Sequence, residues 1–422
     1  MITFVKNILA ILAKLTLVRF QPKVVAITGS VGKTSTRAAV ENVLKSTYTV
    51  RGPTSNYNNE IGVPLTILGF QSPGKNPLGW IWIFLVSLVK LIYTHYPKVL
   101  VLELGADRPG DIEYLVNLIG RIDVAVLTDI GLSHLEFFKG PENLAREKTT
   151  LIKKLSKDAT AVLNLDNPKI FAAKSETKAQ VLGYGFGSNA EVQASDFHVI
   201  QSDGHWGANF KVHHKGTVVP FFLPLALGAP AVYAALAACS VGLRFNVNLV
   251  KASEGLKKFA PPPGRLHWLS GIKHTSIIDD TYNSSPDSSM AALAALDKIG
   301  QKRKLLAFGS MAELGSQTAS GHRQVAETIA KSGINLVFLV GEHARIIEEE
   351  LSKHNFAGKV SWFATADEAR IPIQDALEEG DTILVKGSQS ARMEKIVKEI
   401  MAEPLRAPEL LVRQSLDWLN KP

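Results

Sequence analysis

The chain has 422 residues, 46% of them apolar and 20% charged, which suits two or three domains with substantial cores and excludes a disordered chain. A formal charge of +8 favours anionic partners such as nucleotides, phosphorylated substrates or an anionic membrane face. Zinc-finger spacing, RNP-like aromatic motifs and long Lys/Arg blocks are all missing, which argues against nucleic acid as the partner.

The first predicted element is a helix within residues 1–21, MITFVKNILAILAKLTLVRF and the residue after it. Thr3, Lys6, Asn7, Ala10, Lys14 and Leu17 share one side of it, so a narrow basic stripe faces a broad apolar one. No small-residue cleavage site follows, against a secretory signal. KVVAIT (23–28) then reads as a short β-branched strand ending at a glycine, and GKTSTRAAVENVLKS as a helix. A second apolar segment, LGWIWIFLVSLVKLIY (78–93), is shorter than the roughly 20 residues a spanning helix needs. Both apolar segments suit either a bilayer surface or packing on each other or on a second copy, and apolar content does not separate these readings.

VLVLELG (99–105) and DVAVLTDIG (123–131) read as buried parallel strands with a helix at 111–120 between them, and ATAVLNLD (159–166) as a further strand. Residues 190–224 alternate polar and apolar with turn signals, predicting a small antiparallel sheet, and AVYAALAACSVGL a helix. Within that helix the single cysteine, Cys239, has apolar neighbours and reads as a core residue; with no partner in the chain, it fits a reducing cytoplasm. FAPPPGRL (259–266) is the clearest linker. Beyond it TSIIDD, KLLAFGS, NLVFLVGE and DTILVKGS predict a second α/β unit with its own parallel sheet. The expected organisation is an amphipathic helix (1–21), a central P-loop ATP-binding domain with a mainly parallel sheet (22–263) and a Rossmann-like α/β domain (264–422).

The strongest chemical signal is AITGSVGKTST, a glycine loop between strand and helix. Gly29, Ser30, Val31, Gly32, Lys33, Thr34 and Ser35 are candidates to cradle phosphate, since backbone N–H groups and a helix N-terminus favour negative charge. In that reading Lys33 reaches the β and γ phosphates and the Thr34 hydroxyl ligates magnesium. Glu103 ends a buried strand and is a candidate hard oxygen ligand for the same metal. An ordinary strand–helix turn is the plain alternative for the loop, and a turn former for the adjacent carboxylates Asp279 and Asp280.

The spacing GxxGKT is shorter than the general phosphate loop and is the form used by the Mur ligases. NYNNEIGVPLT (56–66), LELGADRPGDI (102–112), HLE (134–136), IDDTYNSSPDS (278–288), GSMAELG (309–315) and VKGSQSARME (385–394) resemble that family, within it the MurF-like branch that adds D-alanyl-D-alanine. The resemblance covers residues 22 to about 400. It implies a ligase that uses ATP and two magnesium ions to join a muropeptide carboxylate to the amine of D-Ala-D-Ala through an acyl phosphate. It implies that His134 holds the second metal, that Lys148 is carbamylated, that Arg265 contacts phosphate, and that Asp280, Tyr282 and Asn283 lie near the nucleotide. Lys386 and Ser388 open a loop without an assigned role.

Of three departures from the family, the first and third bear on substrate and the second on the carbamate at Lys148. The family carries an N-terminal uridine-binding domain, for which only the basic helix stands here. Thr150 replaces an acidic residue two positions after the lysine. Pro230 and Tyr233 replace a histidine and an asparagine, and the asparagine helps hold adenine. A UDP-linked tripeptide, a lipid-linked acceptor and a substrate outside the wall therefore all remain open. So does a membrane-associated nucleotide switch, although a switch has no need of Glu103, His134, Lys148 and Asp280 together. Peripheral membrane contact through 1–20 and 78–93 is expected as an addition to a cytoplasmic location.

Overall fold

The computed structural model describes residues 2–54, 56–93, 95–131, 135–138, 140–202, 205–299 and 302–420. Nine strands form the first sheet: β1 (Lys23–Thr28), β2 (Val50–Arg51), β3 (Val99–Glu103), β4 (Val124–Leu127), β5 (Thr160–Asn164), β6 (Gln180–Gly185), β7 (Val192–Ser202), β8 (His205–His214) and β9 (Thr217–Pro224). Their order is β2-β3-β1-β4-β5-β6-β7-β8-β9. β1 to β6 run parallel, and β1, β3, β4 and β5 bury both faces because successive side chains alternate. Val25 and Ile27 of β1 enter one core and Val24 and Ala26 the other.

Helices cover both faces. α1 (Ile2–Phe20) precedes β1, α2 (Lys33–Lys45) follows it, and α3 (Gly62–Leu68) and α4 (Pro77–Tyr93) lie between β2 and β3. α5 (Asp111–Ile119), α6 (Leu135–Phe138), α7 (Pro141–Lys153) and α8 (Pro168–Ala173) follow, then α9 (Ala229–Arg244) and α10 (Leu249–Leu256) after β9. The expected antiparallel strands exist, but they extend the main sheet rather than forming a small separate one. β6, whose run QVLGYG is interrupted by glycine, pairs parallel with β7 at Tyr184 and Val192 and so bridges the two regions. β7, β8 and β9 then pair as antiparallel hairpins.

The proline segment 259–266 separates α10 from a second sheet of six strands. These are β10 (His267–Ser270), β11 (Ser276–Asp280), β12 (Lys304–Gly309), β13 (Leu336–Val340), β14 (Lys359–Phe363) and β15 (Thr382–Lys386), in the order β10-β11-β15-β12-β13-β14. The sheet is mostly parallel, and only β10 is antiparallel to its neighbour. α11 (Pro286–Ile299) follows β11.

Both apolar segments are helical and they do pack together. Val5, Leu9 and Leu12 of α1 share a core with Leu65 and Leu68 of α3 and Ile83 of α4. Among the described residues no helix is long and apolar enough to cross a membrane. Cys239 is fully buried in the first core, and burial raises its thiol pKa, as a core residue requires.

Candidate active site

The site begins where β1 ends. At Gly29 φ is 152°, and a Cβ would lie 2.1 Å from the Thr128 hydroxyl oxygen. Gly32 adopts a left-handed φ of 84° as the residue preceding α2. The loop is tied to the end of β4: Ser30 N donates to the Asp129 carbonyl at 2.7 Å and the Thr128 hydroxyl to the Val31 carbonyl at 2.6 Å.

Lys33 folds back over this loop, its ammonium donating to the carbonyls of Gly29 (2.8 Å) and Ser30 (3.2 Å). Burial lowers its pKa from the ordinary ammonium value. Glu103 opposes that shift, and the charge of Arg265 adds to it. The Thr34 hydroxyl donates to Glu103 Oε1 at 3.2 Å, and Arg37 Nε sits 3.7 Å from the other carboxylate oxygen. Glu103 reaches this point because β3 pairs parallel with β1 and sets Glu103 opposite Ile27. Thr34, Lys33 and Glu103 are thus brought together, as the sequence reading requires. His134, the other expected metal ligand, lies outside the described residues.

Lys148 is 2% exposed on α7. Burial, together with the charge of Lys33, drives its pKa down to about 7, while Glu147 and Asp107 oppose. Its neighbour Glu147 anchors α7 to the start of α5, accepting from Gly110 N (2.9 Å) and Ile112 N (2.7 Å).

Residues after the linker form the opposite wall. The Arg265 guanidinium lies 4.0 Å over the Tyr282 ring. Asp280 accepts from the Lys386 ammonium at 2.5 Å and from Leu266 N at 3.1 Å. Lys386, left without a role by the sequence, is 1% exposed and also donates to the Asn283 carbonyl at 3.0 Å. The Asn283 side-chain oxygen accepts from Ser284 N at 2.9 Å. The Ser388 hydroxyl accepts from Ala312 N at 2.8 Å, a contact within the second sheet's loops. Asp279 accepts from Gly264 N at 3.1 Å and from the Thr281 hydroxyl at 2.6 Å, and burial pushes its pKa up to about 6.

Between the two walls lies a cavity of about 340 Å³, lined by Ser30, Val31, Gly32 and Ser35 on one side and Arg265, Asp280, Asn283 and Lys386 on the other. Lys33, Thr34, Glu103 and Lys148 do not line it. The cavity adds residues that the motifs missed: Asp129, Asn164, Asp166, Asn167 and Asp287. The first four follow the carboxyl ends of β4 and β5, the edge at which open parallel sheets bind ligands, and that position was the available signal. Asn167 caps α8 by accepting from Lys169 N and Ile170 N, and donates to Asp129 at 2.7 Å. Pro230 and Tyr233 line the same end, and the Tyr233 hydroxyl donates to Asp166 at 2.9 Å.

The residues present fit a nucleotide with its magnesium. Ser30 Oγ and Arg265 Nε are buried without hydrogen-bond partners among the described residues, and both belong to cavity-lining residues. Among the described residues no group of three or more His, Cys, Asp and Glu could hold a metal. Magnesium does not need such a cage: it keeps several waters and takes one or two protein oxygens beside phosphate, which Thr34 and Glu103 can supply.

Two family models match the chain, the Mur ligase middle domain over residues 27–242 and the Mur ligase glutamate ligase domain over 264–389. The UDP-N-acetylmuramoyl-tripeptide–D-alanyl-D-alanine ligase of Bacillus subtilis is 31% identical over 395 residues, spanning 93% of this chain and 79% of that one. The enzyme of the same name from Escherichia coli is 30% identical over 90% of this chain and 76% of its own. Solved structures agree: MurF from Acinetobacter baumannii superposes with a TM-score of 0.77 at 26% identity, covering 92% of this chain and 79% of that one. MurF ligase from Thermotoga maritima, solved with ADP, gives 0.77 at 25% identity over 93% and 83%. With both domain models matched in order and the likeness running through loop, linker and second sheet alike, this chain belongs to the Mur ligase family.

Proposed function

We propose that the chain is an ATP-dependent amide ligase of cell-wall precursor synthesis that adds D-alanyl-D-alanine to a UDP-N-acetylmuramoyl-tripeptide through an acyl phosphate. The observation that carries this is the joining of Lys33, Thr34 and Glu103 beside a cavity whose far wall holds Arg265, Asp280 and Lys386. The full extent of the likeness to ligases of that name adds support.

A free carboxylate forms an amide only after one of its oxygens becomes a leaving group, and ATP and a carboxylate are both anions. In this reading the Gly29–Gly32 loop holds the phosphates through backbone N–H groups, and Lys33 leaves its carbonyl partners to neutralise the β and γ phosphates. Arg265, stacked on Tyr282, turns its unpartnered Nε to phosphate. Thr34 and Glu103 hold magnesium, which when bound screens the repulsion between the two anions. Asp280 orients Lys386 at the cavity wall, with Asn283 beside it. The base lies at the Tyr233–Asp166 end of the cavity.

A lysine with a pKa near 7 holds a substantial neutral fraction at neutral pH, and a neutral amine is what reacts with carbon dioxide. That supports Lys148 as a carbamate completing the metal site. The division into an N-terminal helix (1–21), a central P-loop domain (22–263) and a Rossmann-like domain (264–422) belongs to the same proposal. So does His134 as second metal ligand.

The test is phosphate release from ATP with UDP-linked and lipid-linked muropeptides, each with and without D-Ala-D-Ala. Release that requires both the UDP-linked tripeptide and the dipeptide is expected. Release only with the lipid-linked acceptor moves the substrate assignment, and turnover independent of any acceptor makes the chain a nucleotide switch.

A further inference from the structure

α4 has one charged residue, Lys90, and is otherwise almost wholly apolar, a composition that normally marks a helix buried all round. Here only one side is covered. Ile83 and Ser87 are buried, while Leu78, Ile81, Trp82, Leu85 and Leu88 are 49–73% exposed. With Val89 and Ile92 they recur at the three- and four-residue steps of a single helical stripe. α1 adds a parallel stripe of Phe4, Ile11, Leu15 and Val18, each 47–72% exposed. The two helices share a core and line one crevice through Thr16, Phe20, Ser87, Lys90 and Leu91, so the stripes lie on neighbouring helices. At roughly 100 Å² for each half-exposed large side chain the patch is on the order of 1,000 Å², against roughly 300–600 Å² for the largest patch of a typical soluble monomer.

We infer that this face docks on an anionic lipid surface, with α1 and α4 lying in the headgroup plane. The charge pattern favours that occupant. Neither helix contains an acidic residue, whereas Lys6, Lys14, Arg19 and Lys90 lie on them; Lys6 pairs with Glu60 and Lys90 sits over the Phe70 ring, while Lys14 and Arg19 are exposed beside the apolar stripe. Two copies apposed about a twofold axis would bring these like charges together, and an anionic bilayer would pair with them. Trp82 is 58% exposed and packs edge-on against Phe70 at 5.4 Å, the amphipathic ring placement suited to a bilayer interface. Neither helix is long and apolar enough to span, so docking in the plane is the geometry left.

Flotation of the full chain with phosphatidylglycerol vesicles, and separately with phosphatidylcholine vesicles, tests this. At least tenfold stronger binding to phosphatidylglycerol is expected, falling tenfold or more in the combined Ile81→Ser, Trp82→Ser, Leu85→Ser variant. Lys14→Glu with Arg19→Glu, which changes exposed side chains only, should reduce binding to the phosphatidylcholine level and serves as the readout if the triple variant unfolds. No flotation by the unaltered chain, equal flotation by the charge variant, or a concentration-dependent dimer that the serine substitutions dissolve would each overturn the assignment.

Discussion

The two ends of the cavity differ in how they are built. At the proposed phosphate end a six-residue loop sets the geometry: Gly29 and Gly32 adopt backbone angles that other residues avoid, Lys33 caps the loop carbonyls, and Thr34 meets Glu103 across one strand pair. At the proposed base end Asn164 closes β5, Asp166 and Asn167 come from the turn after it, Tyr233 from α9 and Asp287 from α11. The first end is specified by charge and backbone geometry within a short span. The second is specified by the packing of distant elements.

The sharpest way to break that contrast is Lys33→Ala. Loss of the charge that offsets phosphate repulsion should reduce acceptor-dependent phosphate release by about 10³-fold. A loss under tenfold would mean the loop is not the phosphate site. Lys148→Ala should cost about 10²-fold, with partial recovery on adding a short carboxylate such as formate. The pH sign follows from the lowered pKa: below about 7 the amine is protonated and cannot form a carbamate, so activity in bicarbonate should rise through pH 7 rather than near 10.

On the other wall, Asp280→Ala strands the buried Lys386 ammonium and should lower unfolding stability by about 3 kcal/mol in a urea titration. The smallest effect is expected at the base end. Tyr233→Phe removes one hydrogen bond to Asp166, worth about 1 kcal/mol, and should raise KM for ATP about fivefold while leaving kcat unchanged. A larger drop in kcat than in affinity would show that Tyr233 belongs to the chemistry and that the two ends are not separable.

The same contrast explains what the sequence made legible. β1, β3, β4 and β5 are short continuous apolar runs rich in valine that end at glycine or a polar turn, and their length, composition and flanks mark them. β10 and β14 escaped notice because HWLS directly follows the proline linker and KVSWF is an edge strand without a continuous apolar run. Lys33, Thr34 and Glu103 were readable because their chemistry sits in local motifs. Lys386 was not, since its partner Asp280 is 106 positions away and only the parallel pairing of β11 with β15 joins them. Asp166 closed the predicted strand 159–166 and carried no role until the fold set it beside the Tyr233 hydroxyl. For the apolar segments, the sequence predicted helices but could not divide their inner faces from their outer ones.

The most direct measurement follows the oxygen. With ¹⁸O in the acceptor carboxylate, activation by phosphorylation carries one labelled oxygen into inorganic phosphate for each amide bond formed. The account predicts that label in proportion to D-Ala-D-Ala consumed, with its rate of appearance lowered by Lys33→Ala as far as phosphate release is. Amide formation accompanied by unlabelled phosphate would contradict it.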